Sequence, residues 1–141
     1  ELKPSIESEM HLGIYRAKTE ITAIVHAHPL FASAFTAMKT VINTNLTAEA
    51  RAICGEPYMV RYALMGTDEL ASLASEGIMK SDILLLENHG VLAAGNSILQ
   101  AFDRLEVLEN AARMTMIVDI AGTRKPLGKS RIRELDRLFR R

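Results

Sequence analysis

Two of the four histidines in this sequence are spaced in a way that suits a shared metal ion. His26 and His28 stand two residues apart in the run 21–28, which is rich in β-branched residues and ends before Pro29. That composition predicts a strand. Side chains two apart in a strand project from the same face. Both imidazoles can therefore reach one divalent ion.

A third histidine occupies a predicted turn. His89 lies in the polar segment 87–89 between two apolar runs, 82–86 and 90–94, which we predict to be strands. A side chain in such a turn can point into a cleft at the end of a sheet. Three neutral imidazoles that leave a fourth position open are typical of catalytic zinc, whereas structural zinc sites normally use several cysteines. The sequence has one cysteine, Cys54.

From the residues alone, these patterns indicate a candidate metal enzyme and leave other interpretations open. His89 before a glycine is also common as an ordinary turn residue. His11 lies on a predicted helix and is interpreted as a packing or supporting residue rather than a ligand. Glu7 and Glu9 stand near that helix start, where carboxylates favour the helix dipole in any protein.

The elements that must position these residues follow from hydrophobic spacing and end signals. We predict strands over 21–28, 58–64, 82–86 and 90–94. We predict helices over 6–18 with Ser5 as its cap, 30–38, 47–53, 67–75 closed by Gly77, 98–121, and a short one after Ser130. Residues 39–46 stay ambiguous between a loop and a short strand at 41–42. Strands interleaved with helices, without an internal repeat, predict one α/β or α+β layered domain over residues 1–141.

Composition narrows the class of partner. Seventeen basic and seventeen acidic side chains among 141 residues give a formal net charge of zero. We therefore expect neither nucleic acid nor an anionic membrane as partner. No apolar run approaches the roughly 20 residues that span a bilayer. A single cysteine cannot form an internal disulfide, so a reducing, cytoplasmic compartment is expected.

Four short motifs together resemble the class II aldolase and adducin family. They are Pro4-Ser5-Ile6-Glu7, the pair His11 and Tyr15, Val25-His26-Ala27-His28-Pro29, and Asn88-His89-Gly90. Their order and gaps agree with the family over residues 2–116. The resemblance implies a three-layer sandwich with a central, largely antiparallel sheet flanked by helices. It also implies that the family's N-terminal segment, with its phosphate-gripping loop, is missing ahead of Pro4.

The resemblance implies a reaction as well. His26, His28 and His89 would bind one Zn²⁺, Glu7 would be the acid and base, and Ser5 would hold the phosphate of a small phosphorylated sugar. The implied activity is reversible cleavage of a ketose 1-phosphate, such as L-fuculose 1-phosphate, to dihydroxyacetone phosphate and an aldehyde (L-lactaldehyde). A metal-stabilised enediolate would carry the negative charge.

The family also implies a homotetramer whose active site lies near a subunit boundary. The predicted helix 98–121 carries apolar residues beyond its main stripe, which would suit such an interface or, equally, the core. These residues are Ala111, Met114, Ile117, Val118 and Ile120.

The sequence departs from the family pattern at two site positions. Ile6 stands where the bacterial aldolases have a second serine, and Thr47 stands where they place a catalytic tyrosine. No catalytic tyrosine is therefore carried over, and Tyr58 and Tyr62 are interpreted as strand residues that pack against a sheet.

Other members of the fold remain as alternatives. A sugar-phosphate epimerase would have an aspartate in place of Glu7. A methylthioribulose-phosphate dehydratase would use the same metal and carboxylate, and a non-catalytic adducin-like module would lack the three histidines. A binding or scaffold module of this fold, inactive without the phosphate loop, is an alternative of a different class. A metal hydrolase built on a TIM barrel also uses His-x-His, but such a barrel needs about 250 residues.

Overall fold

The sheet that carries the histidine segments has four strands, in the order β1-β4-β3-β2. The computed structural model describes residues 3–139. The strands are β1 (Ala23–Ala27), β2 (Tyr58–Val60), β3 (Ile83–Leu86) and β4 (Gly90–Gly95). β4 pairs antiparallel with both β1 and β3, and β2 pairs parallel with β3. The predicted, largely antiparallel sheet is confirmed.

Helices cover both faces of this sheet. They are α1 (Ser8–Ala17), α2 (Leu30–Phe35), α3 (Ala48–Cys54), α4 (Asp68–Ile78), α5 (Ile98–Ala121) and α6 (Lys129–Leu138), with a 3-10 turn at Thr44–Leu46. Residues of α1 and α4 share one buried cluster with one face of the sheet, and residues of α2, α3 and α5 share a second cluster with the other face. The arrangement has three layers, as the family resemblance implies.

The alternation of side chains along the strands decides which face the histidines occupy. All four residues of β3 are buried, with Ile83 and Leu85 on the α5 side and Leu84 on the α1 side. Fully burying one such side chain stabilises the fold by about 1.5–3 kcal/mol. On β1, Ile24 packs into the cluster on the α1 side, and the two-residue period places His26 on that same side.

The start of α1 differs from the prediction. The predicted helix over 6–18 with Ser5 as cap is wrong at this end, since α1 begins at Ser8. The Ser8 amide bonds the Ser5 carbonyl at 3.0 Å, and the Glu7 amide donates to the Ser5 hydroxyl at 3.3 Å. These bonds form a turn instead of a helix cap. Ile6, within the turn, lies against Gly66, where an added Cβ would come 2.3 Å from the Ile6 side chain.

The other boundaries shift where tertiary packing overrides local signals. Gly77, predicted to close the fourth helix, lies inside it. Its missing side chain allows close packing on the sheet, since an added Cβ would come 3.1 Å from both Leu84 and Tyr58. The predicted strand 58–64 stops at Val60, and residues 41–42 lie outside any strand.

The longest helix is confirmed over its predicted range. Ser97 caps α5 by accepting a hydrogen bond from the Gln100 amide at 3.1 Å, and Gly122 ends it in the left-handed region at φ 74°. Within residues 3–139, none of the helices combines the length and hydrophobicity that crossing a membrane requires. Cys54 is buried, and its thiol donates to the Arg104 carbonyl oxygen at 3.8 Å.

Candidate metal centre

Three imidazoles from two distant segments converge at one end of the sheet. His26, His28 and His89 each offer a nitrogen, and these three atoms all lie within 4.8 Å of one another. The ring centroid of His26 lies 5.0 Å from each of the other two, which are 5.3 Å apart. The antiparallel register explains the meeting, since the last residue of β1 pairs with the second residue of β4. The predicted convergence of the three rings is confirmed.

His26 is held in a tautomer suited to metal binding. Its Nδ1 lies 2.9 Å from the Val91 carbonyl oxygen, so Nδ1–H donates and Nε2 keeps its lone pair. Nε2 is buried and makes no hydrogen bond. Burial lowers the pKa of His26 and outweighs the opposing attraction of the Glu7 carboxylate. The ring is therefore neutral at neutral pH and able to bind a cation.

His28 follows β1 directly and is exposed to solvent. Its ring lies across Gly90, where an added Cβ would come 2.4 Å from His28 Cδ2 and 2.9 Å from the Ala27 carbonyl oxygen. The glycine is therefore needed for the close approach of the ring to β4. Sequence reasoning treated this glycine only as part of a motif, although a glycine beside a histidine can signal such an approach.

We expect Gly90→Ala to displace the His28 ring and to destabilise the fold by about 1–3 kcal/mol, because the clash involves backbone as well as side chain. Urea unfolding of the metal-free protein measures the change. Gly128→Ala is the matched control, since an added Cβ there meets nothing within 4 Å. Equal stability of the two variants would contradict the close approach.

His89 lies in the turn that joins β3 to β4. Asn88 adopts a left-handed conformation at φ 54°, and the His89 amide closes the turn on the Leu86 carbonyl at 3.0 Å. The Asn88 amide also donates to the carbonyl of Thr36, just after α2, at 3.0 Å. Nδ1 of His89 is buried and makes no hydrogen bond. The tight turn therefore places the His89 ring beside those of His26 and His28.

Glu7 brings a carboxylate against this cluster. Its Oε2 lies 2.8 Å from His26 Nε2, and its Oε1 lies 3.4 Å from His89 Nε2. The side chain is only 15% exposed. Although Oε2 and His26 Nε2 are this close, they make no hydrogen bond, so the contact lacks the alignment that a hydrogen bond needs. The later start of α1 leaves Glu7 at the N-cap position with its side chain free to face the histidines.

The three imidazoles fit a divalent cation. They provide three nitrogen donors, His26 Nε2 is buried without a hydrogen-bond partner, and a carboxylate lies beside them. This donor set suits Zn²⁺ and leaves room for a further ligand.

The other predicted site residues lie around a cavity next to the cluster. The cavity has a volume of about 580 Å³, and its lining includes Ser5, Glu7, His11 and His26. Ser5 is exposed, and its hydroxyl accepts from the Glu7 amide. The ring centroid of His11 lies 6.1 Å from that of His26, and burial lowers the pKa of His11. His11 is outside the group of three converging nitrogens, in line with its interpretation as a supporting residue.

Tyr58 and Tyr62 were both predicted to pack against the sheet, and of these two only Tyr58 does so. Tyr58 is half-buried against the α1/α4 side of the sheet, and Lys80 lies over its ring at 4.4 Å. Tyr62 lies beyond the end of β2 and is 57% exposed, so its predicted role in strand packing is wrong. Thr47, at the position of the family's tyrosine, caps α3 by accepting from the Ala50 amide.

Comparison with known proteins gives consistent matches. An L-fuculose phosphate aldolase of Methanococcus maripaludis is 37% identical over 117 residues, which cover 83% of this chain and 63% of the relative. A 5-deoxy-D-ribulose 1-phosphate aldolase of Bacillus thuringiensis serovar kurstaki is 33% identical over 142 residues, which cover 99% of this chain and 65% of the relative. A 3-oxo-tetronate 4-phosphate decarboxylase of Haemophilus influenzae is 30% identical over 116 residues, which cover 79% of this chain and 55% of the relative. The chain thus spans between 55% and 65% of the length of these relatives.

The fold agrees with these matches. A solved structure of an L-fuculose 1-phosphate aldolase superimposes with a TM-score of 0.89 at 29% identity, covering 100% of this chain and 66% of that one. Residues 1–116 match the family described as class II aldolase and adducin N-terminal domain. By this match and this fold, the chain belongs to the class II aldolase and adducin family.

Proposed function

We propose that this protein is a zinc-dependent sugar-phosphate aldolase that reversibly cleaves a ketose 1-phosphate to dihydroxyacetone phosphate and an aldehyde. L-Fuculose 1-phosphate, which would give L-lactaldehyde, is the first substrate to test, since relatives in sequence and in structure are named for it. The observation that carries the proposal is the convergence of His26, His28 and His89 beside the Glu7 carboxylate.

The three histidines would hold the ion. Bound there, Zn²⁺ would supply Lewis-acid stabilisation of the negative charge that develops on the substrate oxygens when the carbon–carbon bond breaks. The Val91 carbonyl would keep the His26 ring oriented by accepting its Nδ1–H. Gly90 would allow the His28 ring to lie close to the strand.

Glu7 would move the proton. Its carboxylate oxygens lie within 2.8 and 3.4 Å of nitrogens of two of the proposed ligands, so it borders the reacting centre. In the cleavage direction, a carboxylate in this place would take the proton of the substrate hydroxyl as the carbon–carbon bond breaks. It would then give that proton to the carbon that has lost its bond, which completes dihydroxyacetone phosphate. In the synthetic direction the two transfers would run in reverse. Positioned acid–base help of this kind contributes about 10²–10⁴-fold to the rate.

Ser5 would help to bind the phosphate. Its exposed hydroxyl lies on the cavity beside Glu7, and the amides of the turn before α1 are close by. Backbone amides at the start of a helix favour anions. Replacing Ser5 by alanine is then expected to raise KM for the sugar phosphate more than it lowers kcat.

One relative supports a second candidate reaction. A 3-oxo-tetronate 4-phosphate decarboxylase matches 79% of this chain. Decarboxylation beside a carbonyl also builds negative charge that a Lewis acid can stabilise. The epimerase and dehydratase of the same fold would draw on the same donor set.

Product analysis distinguishes these reactions. The purified protein is loaded with Zn²⁺ and incubated separately with L-fuculose 1-phosphate and with a 3-oxo-tetronate 4-phosphate. Formation of dihydroxyacetone phosphate, abolished by a chelator and restored by Zn²⁺, supports the aldolase. Release of carbon dioxide from the second substrate, without cleavage of the first, would overturn the aldolase proposal and support a decarboxylase.

We further propose a homotetramer. Exposed apolar side chains along α5 would gain from burial between subunits, with Ile117 57% exposed and Ile120 83% exposed. Of the apolar residues beyond the main stripe of this helix, Ala111 lies in the core, which was the alternative for this set. Light scattering should give four times the mass of one chain, and Ile117→Asp combined with Ile120→Asp should lower it. A monomeric mass for the unaltered protein would overturn the tetramer.

A further inference from the structure

The short helix α2 connects two of the three converging histidines. Its first residue, Leu30, comes two residues after His28. The Thr36 carbonyl, just after its last residue, accepts the hydrogen bond of 3.0 Å from the Asn88 amide in the turn that carries His89. Any shift of α2 along its axis would therefore change the distance between these two imidazoles.

The N-terminus of α2 lacks a local cap. Pro29 occupies the N-cap position, and its side chain cannot accept a hydrogen bond. The first amides of a helix need acceptors, since they have none within the helix. A helix of six residues is also too short to be stable without tertiary contacts.

A carboxylate from α5 supplies the missing acceptors. Glu109 Oε1 accepts from the Phe31 amide at 2.9 Å, and Oε2 accepts from the Ala32 amide at 2.7 Å. Hydrogen bonds from backbone amides to an ionised carboxylate are stronger than neutral ones. Arg113, one turn further along α5, lies 4.9 Å from the centre of the Phe31 ring and adds a second contact. Both ends of α2 are thus held by groups far away in sequence.

We infer that Glu109 is a positioning residue for the metal centre: its carboxylate fixes the N-terminus of α2 and thereby sets the place of His28 relative to His89. Glu109 acts through α2, and no polar contact joins it to the three histidines in the part of the chain that the structure describes. His26 depends less on the hydrogen bonds of Glu109, because it lies within β1 and is paired with Leu92 of β4. The inference rests on the proposed metal site. It adds the group that holds two of the proposed ligands, His28 and His89, at a fixed separation.

The test measures metal affinity apart from activity. Zn²⁺ is titrated into Glu109→Gln and Glu109→Ala in competition with a chromophoric chelator, and the visible spectrum of bound Co²⁺ reports the coordination geometry. Groups that orient metal ligands typically change affinity by about 10–100-fold. We therefore expect a loss of about 10-fold for glutamine, a larger loss for alanine, and an altered Co²⁺ spectrum in both.

Two controls separate positioning from general destabilisation. Glu106→Gln removes an exposed carboxylate of the same helix and should keep both affinity and spectrum. Ser97→Ala removes the cap of α5, far from α2, and should lower the melting temperature without altering the Co²⁺ spectrum.

The outcomes distinguish this inference from the proposed function. If the unaltered protein binds Zn²⁺ and both Glu109 variants bind it equally well, Glu109 has no positioning role. If the variants lose affinity but the unaltered protein cleaves no sugar phosphate, the positioning role stands and the proposed reaction fails. If the unaltered protein binds no ion, the metal centre and the role of Glu109 are both overturned.

Discussion

Replacing Glu7 by glutamine is expected to lower kcat for sugar-phosphate cleavage by about 10²–10⁴-fold while the protein still binds one Zn²⁺. Glutamine has nearly the same size as glutamate and can occupy the same place beside His26 and His89. It cannot take up and release a proton at neutral pH. The expected separation of metal binding from turnover follows from the position of Glu7, which contacts two of the proposed ligands without belonging to the three converging histidines.

Steady-state kinetics and metal analysis of the same preparation check this result. Glu9→Gln is the matched control, because Glu9 lies in the first turn of the same helix and is exposed. It should keep full activity. Undiminished turnover in Glu7→Gln would remove the residue from the reaction, whereas loss of Zn²⁺ in that variant would make its role one of building the metal site.

The side by side placement of two of the three converging histidines could be predicted from sequence because strand geometry is simple. A period of two residues places His26 and His28 on one face, and this holds wherever the strand begins. His89 could be placed because polar residues between two apolar runs predict a tight turn. Neither rule says that the two segments are neighbours. That follows from the pairing of β1 with β4, which is known only from the structure. The resemblance to the family implied that the three histidines share one ion, but not which strands pair.

The start of the first helix could not be predicted because its signals conflict. Ser5 is a good helix cap by residue type, yet it forms a turn that ends at Ser8. The competing contact comes from Gly66, about sixty residues away in sequence, whose missing side chain makes room for Ile6. Local propensity is a weak guide where such a contact decides the conformation.

The contacts that support the site were beyond sequence reasoning for a similar reason. Glu109 on a helix surface looks like an ordinary solvated carboxylate. Its partners, the amides of Phe31 and Ala32, are separated from it by 78 and 77 residues. Backbone amides carry no signal in the sequence, so a side chain that binds them can be found only once the fold is known.

Replacing His28 by alanine is expected to abolish tight Zn²⁺ binding and, with it, sugar-phosphate cleavage. His28 is the most informative of the three proposed ligands to remove because its side chain is exposed. Its loss should therefore cost the metal-free fold little. By contrast, truncating His26 would leave the Val91 carbonyl without its hydrogen bond and could unfold the protein for reasons unrelated to metal.

The free energy of unfolding, measured in the presence and in the absence of Zn²⁺, tests this expectation quantitatively. A ligand at 1,000 times its Kd stabilises the folded state by about 4.1 kcal/mol. If the loss of one imidazole weakens binding 100-fold, the same Zn²⁺ concentration stabilises the variant by only about 1.4 kcal/mol. His11→Ala is the comparison variant: it removes an imidazole that lines the same cavity but lies outside the converging group, and it should reduce the stabilisation by less than His28→Ala does. Equal stabilisation of all three proteins would mean that the ion binds elsewhere, since a site built on these rings cannot lose one of three donors without losing affinity.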